Sequence, residues 1–483
     1  RYRKKVKDVQ ADSRKIISEN IVADRSKLKI ICVFLHRIYF GRIPYERQYR
    51  GKKRKAMNIT ELQQSYASHP NVEGVCRLLK DNSVRHLYCG GLYASAASLF
   101  SSVLVQRATC PLVFILGDME EAGYFYHDLT QILGTEQVLF FPSSFRRAIK
   151  YGQKDAANEI LRTEVLSRLQ KGEEGLCVVT YPDALAEKVV SRKELGDNTL
   201  KLHAGERVDM NFVTDVLRSY GFEYVDYVYE PGQYAVRGSI IDVFSFSSEY
   251  PFRIDFFGDE VESVRTFEVE TQLSKEKKES IVIVPDLSHS LEKKGSGGMV
   301  SFLDFLPSDS LLAMRDFLWL RERIQTVHDE SLTLQAIAAR ESEENGAITL
   351  EGKLIDGGEF TLRALDFRRM EFGNKPTGTP DATVSFHTTV QPIFHKNFDM
   401  VAESFREYLS RHYTIYICSD SLKQTDRIRA IFEDRGDNIS FTAVERTLHE
   451  GFADDTLRIC VFTDHQLFDR FHKYNLKSDK ARS

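Results

Sequence analysis

The sequence predicts an α/β protein in three parts: a mostly parallel sheet, an α+β unit inserted into it, and a small α/β unit at the end. Three patterns carry this. Apolar strand-like runs alternate with amphipathic helical stretches between residues 84 and 180, which is the signature of strand–crossover–strand units. Between Tyr229 and Ser274 the hydrophobic period falls to two and turn residues interrupt it. From Asn397 the helix–strand alternation resumes.

In chain order, helices are expected over Asn58–Tyr66 and Val72–Lys80, then a strand over Val84–Cys89 and a helix over Tyr93–Val105. The strand LVFIL (112–116), a helix over Met119–Leu133, the strand VLFFP (138–142), a long helix over Asp155–Leu169 and the strand LCVVT (176–180) follow. The unit after Leu200 opens with a helix over Val208–Tyr220, and IVIVP (281–285) is read as re-entering the parent sheet. Trp319, the single tryptophan, sits in a helical stretch and is read as core or inter-domain packing. Residues 366–384 are rich in turn formers and read as a loop or linker. The last unit has a helix over NFDMVAESFREYLSRHY, strands YTIYIC (413–418), ISFTAV (439–444) and RICVFTD (458–464), and a helix over 421–436.

The inserted stretch reads as three strands, about Tyr234–Phe246, Phe252–Phe257 and Val261–Val269, joined at Ser247–Pro251 and Gly258–Asp259. On the middle strand Phe252, Ile254 and Phe256 point one way, and Arg253, Asp255 and Phe257 the other. The first set is a core face. The second places a phenylalanine beside an arginine, the composition of a protein-binding hot spot, although a covering domain or a turn-closing role for Phe257 would produce the same pattern. Asp255 is placed to hold Arg253 or to meet a partner cation, and Gly238 to allow a close backbone approach or a bulge.

At the first strand-to-helix turn, CGGLYASAAS (89–98) lies where a nucleotide-binding domain holds phosphate. Laid on G-x-x-x-x-G-K-[ST], Gly91 fits the first glycine and Ser98 the hydroxyl, but Ala96 and Ala97 stand at the second glycine and the lysine. A methyl group cannot replace the cation that meets the β/γ-phosphates. The loop therefore predicts a nucleotide-binding architecture without its chemistry.

Composition narrows the class. Hydrophobic residues make up 42% of 483, enough for several cores. No apolar run approaches a membrane span. The seven cysteines have no C-x-x-C pair and read as reduced buried thiols of a cytoplasmic protein. No histidine or acidic cluster shows metal-ligand spacing, so no metal is expected. Residues 1–56 carry 18 Lys and Arg against 5 Asp and Glu, a balance of +13, so the rest of the chain, at −17, is acidic. The basic lead, with RGKKRK at 50–55, is compatible with a nucleic-acid arm or a targeting segment.

The motifs GQYAVRGSIIDVF and FRIDFFGDEVESVRTFEVETQ resemble the UvrB-homology module of bacterial transcription-repair coupling factors (Mfd). The resemblance runs over about residues 57–475, is strongest at 205–273, and matches the front of the family's chain. It implies a degenerate helicase-like (UvrB-like, P-loop-derived) domain over 57–198, completed by 285–392. It also implies a UvrA-binding insertion over 199–284 and a small α/β domain over 393–483, with 1–56 a basic extension outside them. It further implies that Arg237, Arg253 and Phe257 contact UvrA. The fragment would then be a non-catalytic recruitment module of nucleotide excision repair without a cofactor. ATP and Mg²⁺ would serve the family's translocase motor, and RNA polymerase and DNA its remaining domains. A DNA-binding or autoregulatory module, or a residual nucleotide-dependent motor, is the alternative.

Overall fold

The computed structural model describes residues 56–144, 156–287, 298–341, 353–470 and 472. The basic segment 1–55, and with it the expectation of an arm, lies outside the described residues. The α/β class is borne out, with a parallel main sheet and a third sheet that is parallel in part.

Seven parallel strands form the main sheet, in the order Ala382–Ser385, His86–Gly90, Arg368–Glu371, Leu311–Met314, Leu112–Ile115, Cys177–Thr180 and Val138–Phe141. Its apolar strands are fully buried, as a sheet covered on both faces requires. The helix Met119–Leu133 begins where the Asp118 side chain accepts the Glu121 N–H, and ends at Gly134 with φ 81°.

Two strands come from the stretch read as a linker. The sequence RRME (368–371) hides its pattern because three of its four residues are charged, yet it lies inside the sheet. Each charge has an internal answer. Arg368 donates to the Leu79 carbonyl and to Asn82, Arg369 stacks over the Phe317 ring, and buried Glu371 lies 3.0 Å from His86 Nε2. Other expectations also shift. The helix after the first strand starts at Ala96 rather than Tyr93. Trp319 is 53% exposed rather than core. The segment read as rejoining the main sheet instead pairs Ser280–Ile283 antiparallel with Leu200–His203, forming the stem of the insertion.

Beyond that stem stands a second sheet, in the order Ser274–Lys278, Glu260–Phe267, Phe252–Phe257, Ile240–Val243, Gln233–Arg237 and Glu223–Tyr224. One face packs on the helix Met210–Ser219 through Val213, Leu217, Tyr234, Ile241, Val243, Ile254 and Val264. The third sheet gathers Thr414–Ser419, Ile459–Thr463, Thr442–Glu445, Phe452–Asp454 and Thr388–Val390, with Met57–Asn58 added beside Thr442–Glu445. The helix Ile59–Ala67 follows directly, opened by a reciprocal Asn58/Glu61 cap. It is tied to the same sheet where Tyr66 Oη donates to buried Asp454 at 3.0 Å.

At Gly91 the backbone leaves no room for a side chain. Its φ is +76°, and a Cβ there would stand 2.0 Å from the Phe386 carbonyl oxygen. Gly91→Ala should therefore destabilise the chain by more than about 1 kcal/mol, read as a lower urea midpoint with an unchanged slope.

Candidate functional site

The insertion carries the most exposed large hydrophobic side chain among the described residues. Phe257 ends its strand at a two-residue turn, Gly258–Asp259, where Phe257 pairs with Glu260, and it is 80% exposed. The alternation along this strand holds: Phe252, Ile254 and Phe256 are buried, while Arg253, Asp255 and Phe257 lie on the other face.

The first strand read from sequence is in fact two. Gln233–Arg237 and Ile240–Val243 pair antiparallel around Gly238–Ser239. Gly238 has φ +62° and serves this turn; a Cβ there would meet nothing, so no backbone approaches closely. The hairpin brings Arg237, Asp242 and Arg253 together across three neighbouring strands.

Asp242 is the residue the sequence reading missed. Its carboxylate is fully buried, and Arg253 grips it twice, Nε to Oδ1 at 2.8 Å and Nη2 to Oδ2 at 2.9 Å. Arg237 donates to the same Oδ2. The Asp242 hydrogen bonds raise the Arg253 pKa further, against the effect of burial. Arg253 also donates to the Gln272 carbonyl and lies 4.6 Å from the centroid of the Phe267 ring. Arg237 is more open and sits 5.0 Å from the centroid of Tyr227. Asp255 does not bond Arg253. Its carboxylate accepts from Ser263 at 2.8 Å and from Arg265. The face thus carries an exposed aromatic at the Gly258–Asp259 turn and, on the same side of the sheet, a guanidinium pair fixed by one buried anion.

The phosphate-loop position has a different filling. Ala96 and Ala97 are buried, and Ser98 turns inward. Ser98 Oγ and Ser95 Oγ donate to Asp128 Oδ2 at 2.9 and 2.6 Å, and the His449 backbone N–H donates to Oδ1 at 2.7 Å. Ser95 Oγ in turn accepts the Glu450 N–H at 3.0 Å, so a segment of the last unit closes over the loop. The adjoining cavity of about 340 Å³ is lined by five carboxylates, Asp118, Glu120, Glu121, Asp128 and Glu450, against one cation, Arg315. Arg315 is itself paired with Glu121. Polyphosphate would meet net repulsion there. Burial raises the Asp128 pKa to about 7, even though its three hydrogen bonds favour the anion.

Residues 200–289 match the family model described as UvrB interaction domain. The chain is similar to the transcription-repair-coupling factor of Bacillus subtilis (strain 168), 21% identical over 456 residues, 78% of this chain and 38% of that protein. It is likewise similar to that of Staphylococcus aureus (strain bovine RF122 / ET3-1), 22% identical over 457 residues, 81% and 39%. With that of Escherichia coli (strain K12) it shares 29% identity over 198 residues, 41% and 17%. The chain thus spans less than two-fifths of the length of these relatives.

Two outcomes follow from the geometry. Asp242→Ala leaves Arg253 without its anion and should cost roughly 3 kcal/mol, whereas Phe257→Ala should stay within about 0.5 kcal/mol of the parent, both read by urea unfolding. Asp128 holds a proton in the folded state that the unfolded chain loses near its ordinary 3.8, so its contribution to stability falls as pH rises from about 4 to about 7. Parent stability should therefore decline relative to Asp128→Asn by on the order of 1 kcal/mol per pH unit in that window.

Proposed function

We propose that this chain, related to the transcription-repair-coupling factors over about four-fifths of its length, is a non-catalytic recruitment module. In this reading it brings UvrA to sites of arrested transcription for nucleotide excision repair. The observation that carries the reading is Phe257, 80% exposed at a hairpin tip inside the segment matching the UvrB interaction domain. An unburied phenylalanine gains desolvation only when a partner covers it. Arg237, about one-third exposed, offers its remaining N–H groups to a carboxylate on that partner. Arg253 acts chiefly from behind, holding Asp242 and through it Arg237, so its part in binding is one of positioning.

The absent lysine and the carboxylate-lined cavity support a role without nucleotide chemistry. A motor reading needs a phosphate cradle at Gly91–Ser98, where Asp128 and the 449–450 backbone now sit. Among the described residues no helix is long and apolar enough to cross a membrane.

Calorimetric titration with UvrA tests the proposal. The parent should bind, and Phe257→Ala and Arg237→Ala should each weaken binding tenfold or more, about 1.4 kcal/mol, without changing the melting temperature. Unchanged affinity in both variants would remove this face from the interaction, and parent ATP hydrolysis that disappears in Asp128→Ala would restore the motor reading.

A further inference from the structure

Three histidines meet where the last unit closes over the main sheet. They stand 16 and 7 residues apart in sequence, a spacing with no local ligand motif, and the fold gathers them. His449 is on the loop that docks on Asp128, His465 in the short helix Asp464–Leu467, and His472 follows. One ring nitrogen from each lies within 4.8 Å of the others.

His449 Nδ1 and His472 Nδ1 face each other at 3.3 Å. A cation held by two imidazole nitrogens at the usual zinc distance, with tetrahedral angles, would keep those nitrogens about 3.3–3.4 Å apart. His465 Nε2 is 2.7 Å from the His449 carbonyl oxygen. It must be the donor, which leaves Nδ1 as the lone-pair nitrogen, now facing the Thr447 hydroxyl at 3.4 Å; such a backbone contact is how ligating histidines are commonly oriented. The His465 ring lies stacked on His472, centroids 4.3 Å and planes 14° apart, so it has to turn before one ion can lie in the planes of both rings. Tyr124 fixes the other two, stacking on His449 at 3.5 Å and donating its hydroxyl to the His472 carbonyl at 2.8 Å.

We infer that His449, His465 and His472 form a binding site for a divalent transition cation of the zinc class, with three imidazole ligands and a fourth position left to solvent. Imidazole sets of this kind favour zinc, cobalt and nickel over magnesium or calcium. The ion would be a clamp. It would fasten the 449–450 backbone, and with it the closure over the phosphate-loop position, to the helix Asp464–Leu467.

The test is a Co²⁺ titration of the tag-free chain after chelator treatment. One equivalent should saturate the site with the visible absorption of a four-coordinate centre, and Zn²⁺ should displace it. His449→Gln and His472→Gln should each weaken binding at least tenfold, and His203→Gln, at an exposed position, should not. Because a ligand variant can also loosen the fold, a second readout is the melting temperature of the parent. Zn²⁺ should raise it, saturating at one equivalent, and Mg²⁺ should leave it unchanged. Absence of saturable Co²⁺ binding, equal binding by both ligand variants, or an equal shift with Mg²⁺ would each overturn the site.

Discussion

A single buried carboxylate organises the insertion. Asp242 has no access to water, and two arginines from the adjacent strands supply its counter-charge. An ion so placed is stable only when its partners hold their geometry, so it constrains the register of three strands at once. A one-residue slip would carry Asp242 to the apolar face and leave Arg253 facing the helix Met210–Ser219. Phe257 lies on the same face, past Arg253 and Asp255 at the end of the strand, and is 80% exposed.

The main sheet shows a phosphate cradle turned to another use. Serines that could face a phosphate or its metal ion instead face Asp128, and a neighbouring backbone supplies the remaining donor. A carboxyl group still sits beside the strand-to-helix turn, but it is a side chain of the protein. The alanines at 96 and 97 then make packing sense, since both are buried in the main hydrophobic core.

Much of this was legible in the residues, for reasons that differ by element. Met119–Leu133 was readable to its last residue because Asp118 and Gly134 mark both ends chemically. Phe257 was readable because strand alternation is a local rule. Asp242 was not, since a buried carboxylate looks like any other polar residue until two distant arginines are seen around it. Arg368–Glu371 was hidden by charges whose partners, His86 among them, come from far along the chain. Gly238 was read as a close approach or a bulge because its turn splits a run that looks like one strand. The histidines escaped for a similar reason, as their proximity is a product of tertiary folding.

The pairing of Met57–Asn58 with Val444–Glu445 has a consequence for how the protein is made. On a ribosome the first strand emerges nearly four hundred residues before its neighbour, an interval of roughly 20–80 s at ordinary elongation rates. Throughout that time the helix Ile59–Ala67 has its Tyr66 hydroxyl ready but lacks Asp454 to receive it. Vectorial synthesis can complete the main sheet and the insertion first, while the third sheet waits for the last of its strands. The earliest residues of the folded body are thus among the last to reach their final places.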